Sequence, residues 1–183
     1  MSDYDAIMES IIKGDLTSLK EFSEIVDDFP SGRDHFIDRH WITNAIDCGT
    51  FEVIEWMVDK KVTLHFRDGG GYTVLHSALE RDKPDKQKVL RLLIQAGADI
   101  NAKGINDYTP AHKAATWGDL ESLSLLVDSG ADLTIRTEID EYETPLGEAI
   151  AMNAPLEVIK YLRKQGEQGS ANQSTTRSES KSE

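Results

Sequence analysis

Five histidines, one cysteine, a run of three glycines and a crowd of carboxylates are the residues of this chain that could do chemistry. His35 and His40 lack the one-turn spacing that paired metal ligands need on a helix. Cys48 is the single cysteine, and no basic residue stands beside it to hold a thiolate, as a nucleophile requires. Gly69, Gly70 and Gly71 suggest a phosphate loop, but such a loop continues with Lys and then Ser or Thr, whereas Tyr72 and Thr73 follow here. Glu138, Asp140, Glu141 and Glu143 lie close together in the chain. A hydrolytic acid–base pair needs two carboxyls facing one another across a cleft, and a consecutive run reads instead as a solvated face. These residues predict no metal site, no cofactor and no catalysis.

The elements that would position these residues are bounded by composition. The chain has 183 residues, 39% hydrophobic and 29% charged, enough for one domain or a short array of repeats. Lys plus Arg number 20 against 33 Asp plus Glu, a formal charge of −13. So acidic a surface argues against nucleic acid and anionic membrane as main partners, because both need clustered cations. One cysteine allows no internal disulfide and predicts a reducing, cytoplasmic setting. The opening residues, Met-Ser-Asp-Tyr-Asp, carry no basic stretch followed by an apolar run, so no secretory signal is expected. No run of about 18 apolar residues is present, so no membrane span is expected.

Self-similarity organises the rest. Residues 72–79 read YTVLHSAL, 108–115 read YTPAHKAA and 143–150 read ETPLGEAI. AGADIN at 96–101 and SGADLT at 129–134 form a second recurring signal, with KKVTLH at 60–65 a weak copy. In the best copy Thr109 can cap a helix and Pro110 suits its first turn. Ala114 and Ala115 keep that helix thin. Leu120, Leu123, Leu126 and Val127 form the apolar stripe of a second helix, and Gly130 supplies a left-handed stop. The pattern GINDYTPAHKAATWGDLESLSLLVDSGADL closely resembles the ankyrin repeat.

The resemblance implies an all-α fold, an ankyrin-repeat solenoid of paired antiparallel helices joined by β-hairpin loops. About five repeats are expected, at 3–29, 37–67, 68–101, 102–136 and 137–168, making a domain over 3–168. Three departures stand out. The 27–36 stretch is long, Lys60-Lys61-Val62 replaces the Gly-Ala-Asp stop, and Gly147 replaces the usual histidine. The Ser/Glu-rich residues 169–183 have no apolar side chain larger than alanine and are expected to be disordered. The resemblance also implies that His76 and His112 bridge neighbouring hairpins, and that Asn101 serves a turn rather than a modification.

It implies a protein partner too, held by hairpin tips and the ends of the first helices. The residues at those positions include Arg39, Tyr72, Glu80, Arg81, Ile105, Asn106, Tyr108, Trp117, Asp140, Glu141, Glu143 and Met152. Phe36 and Ile37 hold the corresponding tip of the degenerate second copy. Residues 81–91 read as a basic knob, with Arg81, Lys83, Lys86, Lys88 and Arg91, on an otherwise acidic body. An acidic 128–148 segment on the binding face would favour a basic partner. The function expected is therefore a non-catalytic, monomeric protein-interaction module. It would be an adaptor or, alternatively, a dedicated inhibitor of a basic protein, such as a bacterial toxin immunity protein or antitoxin, with an enzyme as the alternative of another class.

Overall fold

The computed structural model describes residues 2–138 and 143–179, with side chains of the last helix described as far as Glu167. Ten α-helices are present among the described residues, and the chain divides into two compact units, Met1–Ile105 and Asn106–Glu183. The only β-pairing among the described residues is an isolated bridge between Arg33 and His40. The fold is all-α. Where the sequence leads one to expect β-hairpins, a few local hydrogen bonds close the loops. The Asp68 N–H donates to Tyr72 (3.0 Å), and the Thr137 N–H donates to Glu143 (3.0 Å).

The first unit holds three helix pairs. α1 (Asp3–Lys13) is followed by α2 (Leu16–Ile25), α3 (Trp41–Cys48) by α4 (Phe51–Asp59), and α5 (Val74–Glu80) by α6 (Lys86–Gln95). The Ser2 hydroxyl accepts the Asp5 N–H while the Asp5 carboxylate accepts the Ser2 N–H, a reciprocal cap that starts α1. The Asp15 carboxylate does the same work for α2, accepting from Thr17 and Ser18. α1 packs on α2 and α3, α3 on α4 and α5, and α6 on α4 and α5. Ile7, Ile11, Ile42, Ile46, Ile54, Met57, Leu75, Leu90 and Leu93 are fully buried in these contacts.

The long 27–40 connection is a built structure. Asp34 is buried, and its carboxylate accepts the N–H groups of Phe36 (3.0 Å) and Ile37 (2.7 Å) and the side-chain amide of Asn44 (2.8 Å). Asp34 N–H donates to Arg39 (2.8 Å), and Phe29 meets Trp41 edge-on with ring centroids 5.2 Å apart. Satisfying a buried carboxylate with three donors removes the main cost of burying it.

A second buried group ties two repeats of this unit together. Arg81 is 3% exposed. Its guanidinium donates to the carbonyls of Ile46 and Gly49, the latter at 3.0 Å, and to the Asp85 carboxylate at 2.7 and 2.8 Å. Lys83 donates to the carbonyls of Cys48 (2.6 Å) and Gly49 (2.7 Å). Two cations from one repeat thus cap the C-terminal end of α3 in the preceding one, where the helix dipole is negative.

The second unit pairs α7 (Pro110–Thr116) with α8 (Leu120–Asp128) and α9 (Pro145–Ala151) with α10 (Leu156–Glu179). α7 packs on both α8 and α9. The Thr109 hydroxyl caps α7, as the sequence leads one to expect, and Leu123 and Leu126 are fully buried. Leu125 is buried as well, a residue outside the predicted stripe. The α10 backbone continues to Glu179. The expectation that 169–183 is disordered falls on residues whose side chains lie outside the described set and, for 180–183, on residues wholly outside it.

α2, α3 and α5 end in extended backbone, whereas the other helices from α1 to α9 share a left-handed stop. At Gly97 (φ +93°) and Gly130 (φ +97°) the chain turns left-handed, and the next N–H reaches back to Leu93 and Leu126, at 3.0 Å in both cases. α4 ends the same way at Lys61 (φ +57°), with the Val62 N–H donating to Met57 at 3.4 Å. A side chain in this conformation costs about 1–2 kcal/mol relative to glycine's freedom. The bond there is also longer. This is how the repeat lacking Gly-Ala-Asp stops its outer helix.

Lys61→Gly is expected to raise stability by about 0.5–1 kcal/mol, once glycine's larger unfolded-state entropy is offset, as measured by urea unfolding. Leu126→Ala should cost about 2–5 kcal/mol as a truncation of a fully buried side chain. A loss near zero in the same measurement would place Leu126 outside the core. The Arg81 guanidinium holds the Asp85 carboxyl below its ordinary value of 3.8. A lowered folded-state pKa contributes stability above the ordinary value and loses it as pH falls through the lowered one. Asp85→Asn should therefore cost about 1–2 kcal/mol at neutral pH, a figure reduced by partial exposure. The gap from wild type should close on acidification, and a gap that persists through acid would exclude the charged pair as its origin.

Candidate protein-binding surfaces

In the second unit the hairpin histidine does what the resemblance implies. The His112 Nδ1 accepts the Thr109 N–H (3.2 Å), so its proton lies on Nε2, which donates to the carbonyl of Glu143 (3.2 Å). One neutral ring links the start of α7 to the loop before α9. His76 repeats the first half of this arrangement in the first unit, with Nδ1 2.7 Å from the Thr73 hydroxyl. Gly104 passes so close to that ring that a Cβ would lie 2.7 Å from Cε1, so only glycine fits. Both histidines are buried scaffold groups.

The other residues with chemical potential are accounted for in the same way. The glycine run is a turn closed on Asp68, whose carboxylate accepts the N–H groups of Gly70 (3.0 Å) and Tyr72 (2.8 Å). Those donors are turned inward and are not free for an anion. Burial, and secondarily Asp47, push the Cys48 thiol up, away from the thiolate. His35 is exposed, and His40 stacks on Phe66 with centroids 3.8 Å apart. Among the described residues no group of three or more His, Cys, Asp or Glu side chains is placed to hold a metal ion.

The predicted partner-contact residues divide. Arg81 is corrected from surface to scaffold, because two carbonyls at the end of α3 and the Asp85 carboxylate take up its donors. The basic knob shrinks with it: Lys83 is bound to backbone and Lys88 sits 3.5 Å over the Phe51 ring. Arg39 pairs with Asp47 at 2.6 Å. Tyr72 is half-buried with its ring edge-on to His76, and burial followed by the Glu80 charge raises its phenol pKa. Glu80 and Ile105 are exposed.

In the second unit Asn106 is exposed and left-handed at φ +57°. Tyr108 lies over His112 and its hydroxyl donates to the buried Glu148 carboxylate at 2.6 Å, so it packs on the neighbouring repeat. The Glu143 carboxylate lies against Gly147, filling the space where that position has no side chain. Asp140 and Glu141 lie outside the described residues.

Two of the predicted residues are large apolar side chains that stand in solvent at the ends of first helices. Trp117 closes α7 and is 58% exposed, and Met152 closes α9 and is 60% exposed. The two helix ends are neighbours: a Cβ on Gly118 would lie 2.6 Å from Pro155. The Lys113 ammonium sits 4.5 Å from the Trp117 ring centre, which fixes the indole's face while leaving it in solvent. Ile150 and Leu156, which the sequence reading passed over, add exposed apolar area beside Met152. Their spacing gave no signal, since apolar positions on a helix look alike until its neighbours are known.

Comparison with known proteins agrees with this architecture. A model of three ankyrin repeats matches residues 42–137 and, overlapping, 86–173. Protein phosphatase 1 regulatory subunit 12A of Mus musculus is 44% identical over 69 residues, which are 38% of this chain and 6% of that protein. BCL-6 corepressor-like protein 1 of Homo sapiens is 36% identical over 97 residues, 52% of this chain and 5% of that protein. An ankyrin repeat protein of Rickettsia bellii is 29% identical over 149 residues, 73% of this chain and 54% of that protein. The chain thus spans a small part of the first two relatives and about half of the third. With its paired short helices, capping threonines and bridging histidine, the chain belongs to the ankyrin-repeat family.

Proposed function

We propose that the chain is a non-catalytic protein-binding module acting in the cytoplasm. Its second unit would engage a partner through the ends of α7 and α9. The observation that carries this reading is the exposed Trp117, an indole set on a rigid helix end that the core does not use. Trp anchors of this kind dominate binding energy in protein interfaces. Met152, at the end of the neighbouring helix α9, supplies adaptable apolar area. The regulatory-subunit and corepressor relatives support a binding role, since both names describe proteins that act on others. The reducing setting rests on the lone cysteine.

The formal charge of −13 supports a second, narrower reading, a dedicated inhibitor of a basic protein. The two readings separate by stoichiometry and salt. A tagged chain would be used to retain partners from the native lysate at low and moderate salt, with mass spectrometry of what is held. One stoichiometric basic partner lost with added salt supports inhibition, and several salt-tolerant partners support an adaptor. In either case Trp117→Ala should weaken binding by about tenfold or more while leaving the melting temperature unchanged. A lowered melting temperature with unchanged binding would assign Trp117 to packing and remove the proposed surface.

A further inference from the structure

The geometry points to a second docking site, in the first unit, for a basic segment of a partner protein that carries an apolar or aromatic anchor residue. A cleft of about 510 Å³ opens beside α1, with walls that include Tyr4, Ile25, Phe36 and Trp41 and with Asp3 and Asp27 among its lining residues. Phe36 and Ile25 are each 75% exposed, so neither contributes to the core. Phe36 stacks on Tyr4 with centroids 5.0 Å apart, and Tyr4 lies 5.9 Å from Trp41, making a continuous aromatic wall.

Phe36 is held there by construction. The buried Asp34 accepts its N–H and that of Ile37, and Asn44 on α3 anchors the same carboxylate. A buried, three-donor carboxylate therefore fixes an aromatic side chain in solvent. Such pre-organisation lowers the ordering cost that a binding surface must otherwise overcome.

Charge identifies the occupant. Asp3, Asp5, Glu24, Asp27 and Asp28 are exposed around this end of the unit, and residues 1–30 contain only Lys13 and Lys20 as cations. His35 and Tyr4 also line the cleft, and the Arg39 charge reaches the Tyr4 phenol. A ligand that places Lys or Arg on either side of a Phe, Leu or Trp side chain meets both the acidic rim and the apolar wall. A second copy of this chain brings a charge of −13 to an acidic rim and is repelled. Residues 169–183 of the chain itself hold no apolar side chain larger than alanine and cannot fill the cleft.

The test pans a phage-displayed library of random peptides against the full chain and then measures the enriched peptides, made synthetically and labelled, by fluorescence anisotropy. The expected pool places an apolar or aromatic residue between Lys or Arg. It should lose about tenfold or more in affinity on Phe36→Ser and on Asp27→Lys, and nothing on Trp117→Ala. Both substituted positions are exposed, and either variant alone carries the test if the other does not fold. Four outcomes would overturn the site: no enrichment, an acidic or wholly polar pool, a pool whose affinity ignores both variants, or a wild-type dimer in sedimentation that Phe36→Ser dissociates.

Discussion

No helix from α1 to α9 is longer than 11 residues, and helices that short do not persist alone in water. Each must end cleanly, reverse the chain and bury a face against the next. The left-handed stop at Gly14, Lys61, Gly97, Gly118, Gly130 and Asn153 meets that constraint six times. At each, the following N–H bonds five residues back, turning the last helical carbonyls into part of the turn. The thin, alanine-containing first helices then allow neighbours to approach, and the buried Ile and Leu rows follow from that approach.

Polar groups finish the work at positions where hydrophobic burial cannot set the distance. His112 joins the cap of α7 to the next loop, with Nδ1 bonded to Thr109 and Nε2 to the Glu143 carbonyl. Arg81 and Lys83 reach into the preceding repeat to cap α3. Because Arg81 is buried and Lys83 half-buried, the net charge of the chain is a poor guide to which charges a partner meets. Cations that look like a surface patch in the sequence are partly internal braces, and the accessible field is more acidic than the residue order suggests.

What remains outside the scaffold is therefore informative. Large apolar side chains exposed on rigid supports occur at the ends of α7 and α9 in one unit and beside α1 in the other. Trp117 is steadied by Lys113, and Phe36 by the Asp34 turn. In both cases the supporting interaction is polar and the presented group is apolar. A surface that must bind without rearranging is built this way, with little entropy left to lose on contact.

Much of the fold was legible in the residues by themselves. Thr109-Pro110, the Gly130 stop and the leucine row of α8 act through backbone geometry and helical period, which are local and survive in any context. The repeated motifs then determined the all-α, ankyrin-type pairing. The sequence also marked Trp117 and Met152, because their positions follow from repeat register. Tertiary structure alone decided where charges and aromatics went. Arg81 is buried because the end of α3 leaves carbonyls unpaired, and Tyr108 turns inward because Glu148 lies beside it. Glu143 fills the place left by Gly147, and Phe36 stands in solvent because Asp34 folds the loop beneath it. Each of these depends on a partner 2 to 40 residues away, placed by a fold that local pattern does not encode.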